Sequence, residues 1–98
     1  MDKDMLVLEQ ASNAVLSIDR KYRNADFNGK ISLKDERDKL YNEYAKARLK
    51  LLEDGMICTD DNVKEMMEIR AEIEQAIQTQ SIVIGIGKLV KFLAKFAK

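Results

Sequence analysis

Histidine, proline and tryptophan are absent from this chain of 98 residues, which also has one cysteine and four glycines. Each absence narrows the field. Without histidine there is no usual general base, no Ser-His or Cys-His nucleophile pair, and no basis for most transition-metal sites. Without proline, and with little glycine, few residues oppose helix, and the abundance of Ala, Leu, Glu, Lys, Met and Arg favours it. Cys58 has no partner for an internal disulfide, which fits a reducing compartment, and no neighbour in sequence that would activate it. The glycines form neither a GxGxxG pattern nor a P-loop. Basic and acidic residues number 17 each, so no excess of positive charge marks a nucleic-acid binder. The segment MDKDMLVLEQ lacks a basic n-region and a small-residue cleavage site, so no secretion signal is expected.

Amphipathic periodicity fills most of the chain. Apolar residues make up 46 % and charged ones 35 %, too apolar a mixture for a disordered protein. Over residues 4–23, Leu8, Ala11, Val15, Ile18, Tyr22 and Ala25 recur at alternating steps of three and four, a coiled-coil-like seam. Asn28-Gly29 then reads as a stop, with Ser32 as the next N-cap and Asp35 completing a capping-box-like pair. A second helix is expected over 33–54, with Leu33, Leu40, Tyr44, Ala47 and Leu51 on one stripe that Arg37 breaks. Asp54-Gly55 closes it, and Thr59 caps a third helix expected over 60–80. Val63, Met66, Arg70, Ile73 and Ile77 hold the spacing there.

The tail from Ile82 is the most distinctive stretch. Lys88, Lys91, Lys95 and Lys98 fall on one narrow helical stripe, and Ile82, Ile86, Leu89, Phe92, Leu93 and Phe96 share the opposite face. These ten residues are the candidate partner- or membrane-binding set. Glu74 is the last acidic residue, so the tail carries four positive charges and the rest of the chain a net four negative. Such a charge dipole favours contact between copies, or a tail folded back on its own acidic helices. The segment is too short to span a bilayer, about 25 Å against roughly 30 Å. Gly85-Ile86-Gly87-Lys88-Leu89 is similar to the start of the magainin family of membrane-active peptides, which implies a helix lying in an anionic interface. Polar Gln78 to Ser81 allow the third helix to run on into the tail, whereas Gly85 and Gly87 allow a bend. Ile82, Val83, Ile84 and Ile86 also favour strand.

Residues 24–35 resemble the twelve-residue calcium loop of the EF-hand family. Asn24, Asp26 and Asn28 fall on its first, third and fifth positions, Gly29 on the sixth, Lys30 where a carbonyl is offered, and Asp35 on the twelfth. The resemblance implies a calcium-modulated helical switch of weak affinity, because only two carboxylates would face the ion. The competing reading is a plain glycine turn followed by a Ser N-cap, with no metal.

These readings combine into an all-α protein: a three-helix antiparallel bundle or extended helical hairpins over residues 1–78, plus a C-terminal basic amphipathic helix over 79–98. The expected role is non-enzymatic, without cofactor or small-molecule substrate. It is that of a structural or assembly protein whose tail docks on a protein partner or a neighbouring copy in a homo-oligomer. A cytoplasmic protein, or a component of a phage- or virus-like particle assembled there, suits the description. The alternatives are a peripheral membrane protein using the tail and the calcium switch.

Overall fold

The computed structural model describes residues 2–97. Among them are four α-helices and no strand: α1 Lys3–Asn24, α2 Phe27–Asp54, α3 Asp60–Gln75 and α4 Thr79–Ala94. The chain is all-α, as its composition implies.

The first connection is tighter than the sequence predicts. α2 begins at Phe27 rather than Leu33, and its N-cap is Asp26, whose Oδ1 accepts the Gly29 N–H at 2.7 Å. Ser32 lies exposed inside the helix. Gly29 is helical and buried, so it makes no left-handed turn. A Cβ there would lie 3.1 Å from Ala25 Cβ and 3.4 Å from Thr79 Oγ1. Glycine at this position leaves room for Ala25 and for the capping Asp26 carboxylate, which would lie 3.2 Å from such a Cβ.

The second connection follows expectation. Gly55, at φ +64°, ends α2, and its N–H donates to the Leu51 carbonyl. Thr59 caps α3 reciprocally with Asn62: each backbone N–H donates to the other's side chain, at 3.1 and 2.9 Å.

α3 stops at Gln75, short of residue 80, and α4 runs as a separate helix to Ala94 rather than to the chain end. Neither tail glycine interrupts it, and the strand-favouring run Ile82–Ile86 is helical. Gly85 sits where α4 crosses α3. A Cβ there would come within 2.9 Å of Ile73 Cγ1, whereas nothing lies within 4 Å of one at Gly87. Opposite outcomes are therefore expected from one substitution made at two sites. Gly85→Ala should destabilise by about 1–3 kcal/mol through overpacking. Gly87→Ala should stabilise by about 0.5–1 kcal/mol through helix propensity. Urea midpoints that moved in the same direction for both would contradict the crossing.

α1 packs beside α2 and α3, and α4 packs beside the same two helices. α2 and α3 therefore occupy opposite corners. Asp19 bonds to Arg37 and Tyr41, so α1 and α2 are antiparallel. Lys3 meets Asp60 at one end of the bundle and Lys21 meets Ala76 at the other, so α1 and α3 run the same way. Lys88–Glu72 and Lys95–Glu65 make α3 and α4 antiparallel. The 55–59 connection consequently crosses the end of the bundle diagonally, over the start of α1. One core joins Ile18 of α1, Leu40 of α2, Met66 and Ile73 of α3, and Leu89 and Phe92 of α4. Residues 1–78 and the tail thus contribute to the same apolar interior.

Candidate interaction site

The tail's apolar face is covered by its own chain. Ile82, Ile86, Leu89, Phe92, Leu93 and Phe96 are all buried against the bundle, Phe96 from the turn just beyond α4. Phe92 and Phe96 stack edge to face, with ring centroids 5.4 Å apart. The lysine stripe borders this face and meets an acidic stripe on α3. Lys88 Nζ lies 2.7 Å from Glu72 Oε1, and Lys95 Nζ lies 3.1 Å from Glu65 Oε1. Lys91 and Glu68 line the same groove between them. Lys95 also stands over the Phe92 ring, at 5.3 Å. Lys98 lies outside the described residues. Two of the tail's lysines are therefore paired within the molecule, and the positions 88, 91 and 95 on α4 lie opposite 72, 68 and 65 on α3. Among the described residues, no helix is long and apolar enough to cross a membrane.

The calcium-loop residues are not assembled into a loop. Asn24 ends α1, Asp26 is spent capping α2, and Asn28, Lys30 and Asp35 lie on α2 itself. Residues 27–35 are helical throughout. Among the described residues, no cluster of three or more acidic or cysteine side chains is placed to hold a metal. The physical reason is the Asp26 cap. It starts the helix inside the stretch that an ion-binding loop would need to wrap around its ion.

Arg37, which breaks the apolar stripe of α2, has a role that periodicity alone does not show. Its guanidinium lies 4.4 Å from the Tyr22 ring centroid and 4.8 Å from that of Tyr41. It also donates to Asp19 Oδ1 at 3.1 and 3.0 Å. The Tyr41 hydroxyl donates to the same oxygen at 2.7 Å. This fastens α1 to α2 through cation–π and charge-assisted contacts. The Tyr41 hydrogen bond, aided by Arg37 and Arg23 and opposed by desolvation, holds the Asp19 carboxyl below the usual carboxylate range. Its contribution to stability is therefore complete above the unfolded value, about 3.9, and is lost as pH falls through the lower folded value. Asp19→Asn should cost about 1–2 kcal/mol near neutrality. The gap between the variant and the parent in urea midpoint should close as pH falls through the lowered folded value of Asp19. A gap independent of pH would mean that the charge of Asp19 contributes nothing.

A second carboxylate is deeply placed. Asp4, in the first turn of α1, is buried and accepts the Cys58 N–H at 2.8 Å and the Ile57 N–H at 3.1 Å. Burial and Asp4 push the Cys58 thiol up to about 12, so it stays protonated. A protonated, enclosed thiol is a poor nucleophile.

Large apolar residues remain outside. Phe27 and Ile31 at one end of α2, and Leu49 and Leu52 at the other, are exposed on its outer face at helical spacing, with Met56 beyond them. Ala45 continues the same stripe. Sequence periodicity gives this band no emphasis, because Lys34, Asp38 and Asn42 occupy the stripe between Ile31 and Ala45 and part its two apolar ends. Set against known protein families, curated proteins and solved structures, the chain matches none.

Proposed function

We infer that this protein is a non-enzymatic structural or assembly component that works by packing its helices against another polypeptide, a neighbouring copy in the first instance. One observation carries the reading: the outer face of α2 presents Phe27, Ile31, Leu49 and Leu52 to solvent, with exposures of 50–77 %, on a bundle that has already buried its tail. Singly exposed apolar residues are ordinary, but an aligned set on one long helix marks an interaction surface. The middle of the stripe and its edges carry both signs. Lys34 pairs with Asp38 at 3.3 Å, and Arg48 and Glu53 are exposed beside Leu49 and Leu52. Mixed charge suits a protein surface better than an anionic bilayer. A role in a particle built from many copies belongs to this reading.

The membrane alternative rests on the tail face and its lysines. The face is buried in the bundle, and Lys88 and Lys95 pair with α3, which leaves that reading the weaker of the two. Sedimentation across a concentration series tests the assembly role. The parent chain should associate as concentration rises, and Leu49→Glu with Leu52→Glu should abolish association through this face, weakening it overall, while leaving the melting temperature within a few degrees. A parent that stays monomeric at all concentrations, and binds no protein through this face, removes the proposal.

A further inference from the structure

The break between α3 and α4 has no local cause. From Gln75 to Ser81 the chain reads Gln-Ala-Ile-Gln-Thr-Gln-Ser, without glycine, proline or charge. Other helix boundaries here carry a signal: Asp26 caps α2, Gly55 closes it, and Thr59 opens α3. Gln78, by contrast, makes no side-chain capping bond to α4, and no basic residue stands in the last turn of α3. Ile77 projects into solvent with 91 % of its surface exposed. The turn is held from elsewhere, by Lys21 of α1, whose Nζ donates to the Ala76 carbonyl at 2.7 Å and the Glu74 carbonyl at 3.3 Å. Without that hold, residues 76–78 are free to join α3 and α4 into one helix of roughly 50 Å.

We propose that α4 is an exchangeable arm, and that the groove formed by α2 and α3 accepts the α4 of a second copy of this chain in place of its own. Straightening the hinge carries α4 out of one bundle and into the other, and the reciprocal movement closes the pair with two-fold symmetry. The contacts in the groove are the same in both arrangements. Gly85 meets Ile73, Lys88 meets Glu72 and Lys95 meets Glu65, across chains instead of within one. The exchange gains continuous helical hydrogen bonding through the hinge and loses the Lys21 contacts. This inference does not depend on the outer band of α2.

The pairing of residue 65 with residue 95 reports the exchange directly. Glu65→Cys and Lys95→Cys are introduced together with Cys58→Ser, and the full chain is refolded at a range of concentrations and then oxidised. Chains linked to themselves at low concentration, and linked to each other as dimers at high concentration, are expected on a non-reducing gel. A dimer held only through the outer face of α2 would still contain self-linked chains, so the two readings fail separately. Lys21→Ala in the otherwise unaltered chain frees the hinge without touching the groove. It should shift the monomer–dimer constant towards dimer by about fivefold or more, read by light scattering. Self-linked chains at every concentration, or a Lys21→Ala chain no more dimeric than the parent, overturns the proposal.

Discussion

Phe92→Ala should lower the stability of the isolated protein by about 3–5 kcal/mol, and its melting temperature by roughly 15–30 °C. Phe92 has 1 % of its surface exposed, sits against Phe96 and lies beneath the Lys95 ammonium. Removing the ring opens a cavity at the seam where α4 closes the bundle. Replacing Lys88 or Lys95 by Ala should matter far less. Both ion pairs are half exposed, and such pairs are worth about 0–1 kcal/mol. The contrast discriminates between roles for the tail. A helix reserved for lipid or for a separate partner would tolerate Phe92→Ala in the free protein, because its apolar face would contribute nothing to the bundle. A helix that is part of the bundle loses a core residue. Thermal circular dichroism of the free chain decides, and a melting temperature within a few degrees of the parent's would remove α4 from the core.

That same helix shows how far the sequence carries and where it stops. Periodicity names the face of α4 that needs a dry neighbour, because burial of Ile82, Leu89 and Phe92 follows from their register alone. It does not name the neighbour. The signal that does so is the matching of 65, 68 and 72 on α3 to 88, 91 and 95 on α4, which becomes visible only when the two stripes are set antiparallel. The start of α2 fails for a different reason. Asp26 and Ser32 are both good caps, and Asn28-Gly29 is a good turn, so local chemistry leaves the boundary undecided. The folded chain uses the Asp26 cap, with Gly29 in the first turn packed closely on Ala25 and Asp26. Arg37 looks like a defect in its stripe because its partners, Asp19 and Tyr22, belong to the preceding helix. The α3–α4 break is the extreme case, since the side chain that bonds its carbonyls, Lys21, stands on α1, far away in sequence.

Asp4→Ala should be the most damaging change to a charged residue, costing about 3–5 kcal/mol. The carboxylate is 2 % exposed, and it is the acceptor for the Ile57 and Cys58 N–H groups where the diagonal connection passes over α1. That connection has little else to fix it. Gly55 and Met56 both take positive φ, and Met56 is almost wholly exposed. Position matters as much as hydrogen bonding. Asp4 stands in the first turn of α1, where the helix N-terminus favours negative charge, and the Asp4 N–H donates to Asp2 Oδ1 at 2.8 Å. Alanine would leave two backbone donors enclosed without an acceptor. Asp4→Asn keeps one carbonyl oxygen and should lose about half as much. Cys58 provides a local readout. In the parent its thiol is held up near 12 by burial and Asp4, so it should react slowly with a disulfide reagent at pH 8. Asp4→Ala removes the carboxylate and loosens the cover, so labelling should accelerate at temperatures well below the melt, where global unfolding is too rare to account for it. An unlabelled thiol together with an unchanged melting temperature would show that the crossing is held by something other than this carboxylate.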